Sequence, residues 1–487
     1  MSYTLAQQST HTLSPQMVIR LSLVMGLLAL VYALVTQNLL VALGIAVLPA
    51  ASLVILHCVR HPRMGILLYF FASYFLMAIW RYTQTDGWSV MLNILLVLIA
   101  ITTIIHVVVY KGTIRWTNGF NILITSYAVW MLFILIQLRY TTSDEYVMAI
   151  REWLVAIPVL YFIASVLLDN LKALRIGLIT LGIFTIIATA KALYQKYVGF
   201  DATEMIWLMS GAATTHLLQS GIRYPSIFSD AGNFGIHMGL VTVVYFLIGF
   251  LTTNKLLRLF YLSISGMAVL SLFMSGTRSA IAVPLVGFAL FMLLSLKPKI
   301  MISTAIAGIL VYAFFAFTTI GEGNSMIRRM RTAFRPTEDA SFNVRVENQK
   351  EIAEYLKTHP WGAGLRGEIP RTVEINGEYI ESTIPPDSYF VRIWIQTGTG
   401  GLLVYIVVYV LILLRCCYVV MFLIRNQRLR LTLAALLSGV VGMMVNGYAG
   451  EAMGMPPNDF LIPAMLAFVL NGPYIDKTEC TSTTINT

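Results

Sequence analysis

Residues 321–390 read GEGNSMIRRMRTAFRPTEDASFNVRVENQKEIAEYLKTHPWGAGLRGEIPRTVEINGEYIESTIPPDSYF and differ from the rest of the chain. They contain closely spaced Arg, Lys, Glu and Asp and no apolar run long enough to span a bilayer. Because a backbone exposed to lipid cannot carry so many polar groups, we expect residues 320–390 to lie in water or at a membrane surface. A polar segment of this length between apolar elements usually carries function.

The remaining sequence is strongly apolar. Of the 487 residues, 58% are hydrophobic and 11% are charged, whereas soluble domains carry about 25% charged residues. These proportions indicate an all-α polytopic membrane protein, because a helix satisfies its own backbone hydrogen bonds in lipid. The net charge of +10 does not indicate nucleic-acid binding, since the basic residues lie in short clusters between apolar runs.

Apolar runs of membrane length follow one another along the chain. A span needs roughly 20 apolar residues, and about 12–14 runs meet that criterion. The runs lie at 17–36, 38–57, 64–80, 89–109, 120–138, 146–168, 175–195, 233–252, 257–274, 280–296, 300–319, 391–414, 429–448 and 458–474.

The connections between these runs predict the orientation. If the N-terminus is cytoplasmic, the connections on that side carry Lys and Arg, whereas the alternate ones are poorer in both and contain acids. Cytoplasmic connections of membrane proteins carry an excess of Lys and Arg. We therefore expect both termini in the cytoplasm of a bacterium, the spans in its inner membrane and the polar segment in the periplasm.

Five regions follow from this pattern. Within the polar segment, Val344, Ile352, Tyr355 and Leu356 share a predicted helix face, and Asn376-Gly377 predicts a hairpin. The regions are N-terminal transmembrane helices (1–195), central transmembrane helices with a periplasmic interfacial segment (196–319), the periplasmic loop with its amphipathic helix (320–390), C-terminal transmembrane helices (391–474) and a disordered tail (475–487).

Four arginines lie at predicted outer ends of spans or at the start of the loop helix, namely Arg151, Arg223, Arg278 and Arg345. An arginine side chain is planar and always charged, which suits bidentate binding of phosphate oxygens. Several such groups at one pocket would hold a diphosphate and stabilise it as a leaving group. The alternative is that they reach toward lipid headgroups, or that Glu152 or Asp144 neutralises Arg151.

Asp387 lies where the polar segment returns to the membrane. A carboxylate at such a boundary is partly desolvated and is a usable general base. The alternative is helix capping, for which Asp or Ser at a helix start is typical. His359 precedes Pro360 and likewise has two possible uses: it ends a helix, or it belongs to a functional site. The sequence has no HExxH, Walker A or GxGxxG motif, so we expect no cofactor and no protein-bound metal.

Several motifs occur in a fixed order between residues 200 and 415. They are Arg223-Tyr-Pro-Ser-Ile-Phe228, Ser275-Gly-Thr-Arg-Ser-Ala280, Arg345 at the helix start, His359-Pro-Trp-Gly-Ala-Gly364, and Asp387-Ser-Tyr-Phe390 followed by Gly398, Gly400 and Gly401. This ordered set, with the long outer loop, resembles the O-antigen ligase and O-antigen polymerase superfamily of bacterial membrane glycosyltransferases.

The resemblance implies a metal-independent, inverting glycosyltransferase. Its donor would be an undecaprenyl-diphosphate-linked glycan, and its acceptor a glycan or lipid A–core. The implied catalytic residues are Asp387, Arg278 and Arg345. The implied substrate-binding residues are Arg223, Arg151, His359, Tyr389 and Trp361.

The positions around Asp387 bear on the choice within the superfamily. Ligases carry a His-Asn pair where this sequence has Pro386-Asp387, which favours an O-antigen or exopolysaccharide polymerase over a ligase acting on lipid A–core or protein. A flippase for the same lipid-linked glycans is the alternative of another class, although few acids lie deep in the spans. Membrane lipids and other polysaccharide-assembly proteins are the expected partners.

Overall fold

The computed structural model describes residues 57–109 except 86, 118–295 except 219 and 220, 312–334 except 322, 324, 332 and 333, 340–375 and 378–485, with isolated positions in 20–31 and 302–309. The chain divides into two compact units. One consists of Met1–Gly65 and Leu98–Thr113, and the other of Ile66–Val97 and Ile114–Thr487. Every candidate site residue lies in the second unit.

Helices dominate the described part of the chain. They are α1 (Pro62–Thr83), α2 (Trp88–Val109), α3 (Asn118–Gln137), α4 (Ser143–Ala149), α5 (Ile157–Leu167), α6 (Leu171–Tyr197), α7 (Ala202–Trp207), α8 (Ala213–His216), α9 (Ala231–Leu251), α10 (Lys255–Met274), α11 (Ala282–Ser295), α12 (Ser325–Arg331), α13 (Ala340–Thr358), α14 (Tyr389–Tyr418), α15 (Gln427–Asn446) and α16 (Asn458–Ile485).

Nine helices within the described residues are long and apolar enough to cross a membrane. This confirms an all-α, multi-pass membrane protein. The spans expected at 17–36 and 38–57 lie largely outside the described residues, and the one expected at 300–319 lies partly outside them.

Shorter elements connect these helices. Tight 3₁₀ turns cover Leu138–Tyr140, Arg278–Ile281 and Ala452–Gly454, and π-helical segments cover Ile150–Ala156, Leu208–Ala212 and Val419–Leu423. The strands are β1 (Leu217–Leu218), β2 (Gly221–Ile222), β3 (Pro370–Ile375) and β4 (Glu378–Thr383). β3 and β4 form the expected antiparallel hairpin, with Ile375 opposite Glu378; the two turn residues, 376 and 377, lie outside the described residues.

α9 and α15 form the centre of the second unit. In their most apolar stretches 83% and 78% of residues are buried, more than in any other span of the described chain. Glycines allow the close approach of their neighbours: a Cβ on Gly287 would lie 3.0 Å from the Ser438 carbonyl oxygen, and one on Gly442 would overlap that of Val283. Small residues at such contacts are typical of packed transmembrane helices.

The connections between the long helices are grouped at the two opposite ends of this unit. At one end, Asn233 donates to the Pro456 carbonyl oxygen (3.0 Å) and the Tyr389 amide donates to that of Gly450 (3.2 Å). At the other end, the Arg425 amide donates to Asp476 (2.8 Å) and Asn471 donates to the Leu168 carbonyl oxygen (2.9 Å). The polar segment lies at the first end, together with the other connections that the sequence predicts to lie on the outer side of the membrane.

The polar segment has a small core of its own. Ile352 and Leu356 of α13 pack with Ile369, Ile384, Val391 and Ile395. The predicted amphipathic helix is therefore present, but Val344 is 57% exposed and does not share its buried face. The separation is along the helix axis, since eight residues at a rise of about 1.5 Å place Val344 roughly 12 Å from Ile352 and its partners. Near the C-terminus, α16 continues to Ile485, whereas the sequence predicts disorder from residue 475.

Candidate functional site

Arg223 lies just after β2 and is fixed by the α10–α11 connection. Its guanidinium donates to the Thr277 hydroxyl (2.9 Å) and to the carbonyl oxygen of Thr215 (3.1 Å). Burial lowers the pKa of Arg223; the charge of Asp230 opposes this, and those of Arg278 and Arg345 add to it. An arginine remains charged near neutral pH despite such a shift. Arg223, Arg278 and Arg345 therefore lie close enough together for their charges to interact.

The turn that carries Arg278 is held by an arginine of the polar segment. Gly276 has a φ of +59°, a left-handed conformation that favours glycine. The Arg329 Nε of α12 donates to the Gly276 carbonyl oxygen (2.7 Å). A Cβ on Gly276 would lie 3.1 Å from the Arg223 Cγ and 3.4 Å from the Arg329 Cδ. Arg329, for which the sequence offered no distinguishing signal, thus joins Arg223, Arg278 and Arg345 in what we call the arginine group.

Arg151 is not brought into this group by the contacts of the described residues. It lies in the π-helical segment Ile150–Ala156, and its buried Nε and one terminal nitrogen have no hydrogen-bond partner among the residues that the structure describes. The adjacent Glu152 faces the polar segment, because its carboxylate lies 3.5 Å from Arg366 and 4.0 Å from Arg392.

Asp387 is held by α13 and the hairpin. Its Oδ2 accepts a hydrogen bond from the Asn348 Nδ2 (2.7 Å), and the Asn348 Oδ1 accepts one from Arg371 (3.2 Å). The backbone of Asp387 has a φ of +55°, which is uncommon outside glycine and is often found at functional sites. Helix capping is performed by Ser388, whose hydroxyl accepts from the Val391 amide. The Asp387 carboxylate is thus not the cap of α14.

Glu451 lies beside Asp387, across two backbone hydrogen bonds. The amides of Tyr389 and Phe390 donate to the carbonyl oxygens of Gly450 (3.2 Å) and Gly447 (3.3 Å). Burial raises the pKa of Glu451; the charge of Arg392 opposes the rise, and those of Asp230 and Asp387 add to it. The sequence identified Glu451 as an outward acid but gave it no role.

Asp230 joins the two parts of the site. It caps α9 by accepting from the Asn233 amide (2.9 Å) and also accepts from the Ser229 hydroxyl (2.8 Å). Its charge acts on Arg223 and on Glu451. Asp230 therefore lies within electrostatic range of both Arg223 and Glu451.

Arg81 supports the segment 223–230, which carries Arg223 and Asp230. This side chain is 3% exposed and donates to the carbonyl oxygens of Ser226 and Phe228. Its guanidinium stacks on Trp207, 4.1 Å from the ring centroid. The polar partners replace the hydration that a buried charge loses. These contacts hold the backbone of the segment 223–230 in place.

Two glycines let the polar segment lie directly on α14. Gly398 interrupts this helix with a φ of +69°, and a Cβ there would overlap the Pro360 carbonyl oxygen. A Cβ on Gly362 would lie 2.7 Å from the backbone of Gln396, and the Ala363 amide donates to the Ile395 carbonyl oxygen (2.8 Å). Two of the sequence motifs are thus two sides of one backbone contact.

The remaining predicted residues surround this contact. Trp361 stacks on Tyr140, with centroids 5.6 Å apart, and is 43% exposed. His359 directly follows the last residue of α13, and its ring stacks on that of Tyr355 with centroids 4.1 Å apart. Tyr389 is buried, with the Arg392 guanidinium over its ring, and its ring centroid lies 6.0 Å from that of Tyr405. It therefore packs against the site residues and is not exposed to a substrate.

No group of three or more His, Cys, Asp or Glu that could hold a metal ion occurs among the residues that the structure describes. Comparison with known proteins gives one family match, in which residues 263–406 fit the family model described as O-antigen ligase. No curated protein and no solved structure matches the chain. The matched range includes Arg278, Arg329, Arg345, Asp387 and Gly398. The match supports the resemblance of this part of the chain to the O-antigen ligase and polymerase superfamily.

Proposed function

We propose that this protein is an inverting membrane glycosyltransferase that moves an undecaprenyl-diphosphate-linked glycan to a sugar hydroxyl at the periplasmic face of a bacterial inner membrane. Within its superfamily, we assign it to the O-antigen and exopolysaccharide polymerases. The observation that carries the proposal is that Arg223 interacts with Arg278, Arg345 and Asp230, which are distant in sequence, and that the charge of Asp230 also acts on Glu451.

The arginine group supports binding of the donor. Like charges held together repel one another, so a bound anion stabilises the arrangement. A diphosphate offers several oxygens that guanidinium groups bind in bidentate fashion. As the bond between the sugar C1 and the diphosphate oxygen breaks, negative charge develops on the leaving group and the arginines stabilise it. Their positive charge is consistent with a reaction that needs no metal ion.

Asp387 supports binding of the acceptor. Its carboxylate lies where the polar segment meets α14, next to Glu451 and close to the arginine group. From this position it orients the sugar hydroxyl for attack on C1. Attack from the side opposite the diphosphate inverts the configuration at C1. Trp361, exposed at the same end of the unit, offers an aromatic surface on which a sugar can stack.

The periplasmic location is supported by the pattern of charge. The connections at the end of the unit opposite the site include Arg425 and Arg430, and connections rich in Lys and Arg remain in the cytoplasm. The site therefore faces the side on which lipid-linked glycans are joined.

Deletion of the gene, followed by examination of glycans at the cell surface and on the lipid carrier, tests the reaction class. A polymerase predicts that single repeat units remain on the lipid carrier. Long chains missing only from lipid A–core would indicate a ligase, and repeat units trapped on the cytoplasmic face would indicate a flippase.

Complementation with an arginine variant tests the donor site. We expect Arg278→Ala, present at wild-type protein levels, to abolish polymer formation. Arg328→Ala is the matched control, because Arg328 is exposed on α12 next to Arg329. Full activity of Arg278→Ala would contradict the role in diphosphate binding.

A further inference from the structure

The two adjacent carboxylates of the site have different surroundings. Asp387 has one carboxylate oxygen bound by Asn348, and Asn348 is bound in turn by Arg371 of β3. These contacts tie Asp387 to α13 and to the hairpin. A carboxylate held in this way is well placed to orient an acceptor, and it also fixes the polar segment over the site.

Glu451 occupies a different position. It precedes the short 3₁₀ turn Ala452–Gly454, and its side chain does not cap that turn. The preceding residue, Gly450, is hydrogen-bonded to the first residue of α14, which brings Glu451 close enough to Asp387 for the two charges to interact. An added Cβ on Gly454 would lie 2.6 Å from a terminal nitrogen of Arg392, which shows how closely this turn approaches the arginine.

We propose that Glu451 is the general base of the transfer and that Asp387 is the residue that orients the acceptor. This assignment rests on the proposed glycosyltransferase function and goes beyond it by dividing the work between two carboxylates. It replaces the expectation from the sequence that Asp387 carries the base function.

The step balances with groups already present. The acceptor oxygen forms a bond to the donor C1 while its proton passes to the Glu451 carboxylate. The bond between C1 and the diphosphate oxygen breaks, and its electron pair leaves with the diphosphate toward the arginine group. Glu451 then releases the proton to water before the next transfer.

The charged groups around Glu451 set the pH at which it can act. Arg392 of α14, Asp230 at the start of α9 and Asp387 act on it. α15 has no basic side chain in its last turn, and α16 has Asp459 in its first. Burial with two acids outweighs the one arginine and raises the pKa of Glu451. A base must be deprotonated, so activity should rise with pH through this raised pKa.

The test compares purified wild-type, Glu451→Gln and Asp387→Asn protein with a lipid-diphosphate-linked repeat unit as both donor and acceptor. General-base catalysis is worth about 100- to 10,000-fold, so Glu451→Gln should lower kcat by at least about 100-fold. Inhibition by farnesyl diphosphate, which reports on the arginine group, should be unchanged. In Asp387→Asn, kcat should still decrease as the pH is lowered, because Glu451 is present. In Glu451→Gln, the residual kcat should no longer decrease as the pH is lowered.

Two outcomes would overturn the assignment. One is a Glu451→Gln kcat within about threefold of wild type. The other is loss of the acidic fall in kcat in Asp387→Asn but not in Glu451→Gln. If Glu451→Gln does not fold, Glu451→Asp decides: a carboxylate withdrawn by one methylene should lower kcat at least about tenfold, and a wild-type kcat would refute the base. If wild-type protein itself forms no polymer from this substrate, the proposed function fails and the assignment of Glu451 fails with it. If wild-type protein is active, either outcome above overturns the assignment alone.

Discussion

Replacement of Gly398 by alanine should detach the polar segment from α14. A Cβ at this position would overlap the Pro360 carbonyl oxygen and lie 2.9 Å from the Pro360 carbonyl carbon and 3.1 Å from the Gly362 nitrogen. All three are backbone atoms, so no side-chain rotation relieves the overlap. The φ of +69° adds a second cost for any residue with a Cβ.

Both costs can be given a size. The combination of φ +69° and ψ −176° at Gly398 is populated essentially by glycine alone and costs other residues about 1–3 kcal/mol, and overpacking costs about 1–3 kcal/mol. Together they amount to about 2–6 kcal/mol against the closed contact. Because 2 kcal/mol changes an equilibrium by about 30-fold, the open form should become at least about 30-fold more populated.

Trypsin measures this opening directly. Arg366 follows the contact in sequence, and in the closed form it pairs with Glu145 and Glu152. We expect Gly398→Ala to raise the rate of cleavage after Arg366 at least about 30-fold and to lower polymer formation. Gly400→Ala is the control, because nothing lies within 4 Å of its added Cβ. A wild-type cleavage rate in Gly398→Ala, or an equal increase in both variants, would refute the reasoning.

Three further predictions concern the supports of the site. Arg329→Ala should raise the KM for the lipid-linked donor by about 10-fold or more through loss of a charged hydrogen-bonding group, with Arg328→Ala unchanged; equal effects would contradict a specific role of Arg329. Asn348→Ala should weaken the hold on Asp387 by about 1.5–3 kcal/mol, seen as a higher acceptor KM with unchanged inhibition by farnesyl diphosphate. Arg81→Ala should destabilise the fold by about 3–5 kcal/mol by leaving buried groups unpaired; an unchanged thermal unfolding midpoint would rule this out.

The fold was largely predictable because membrane spans depend on local composition. Long apolar runs and the alternation of basic connections require no knowledge of packing, and the structure gathers the predicted outer connections at one end of the second unit. Proline and glycine likewise marked His359-Pro360 and the hairpin, since their backbone preferences are local. Val344 shows the limit: a single apolar residue in a helix does not determine which face the rest of the chain covers.

The site was predictable in its charges but not in its partnerships. Arg223, Arg278 and Arg345 stood out as arginines at outer span ends. Arg329 did not, because it is one of several arginines in a short basic helix and only its contact with Gly276 distinguishes it. The proximity of Glu451 to Asp387 depends on hydrogen bonds between segments about 60 residues apart in the sequence, which local patterns do not encode.

Release of the lipid carrier tests the central claim most directly. Purified protein, given a repeat unit on undecaprenyl diphosphate, should release one undecaprenyl diphosphate for each new glycosidic bond, and Arg278→Ala should abolish both products together. Glycan chains that lengthen without release of undecaprenyl diphosphate, or unchanged release by Arg278→Ala, would contradict the claim that the arginine group stabilises a departing diphosphate.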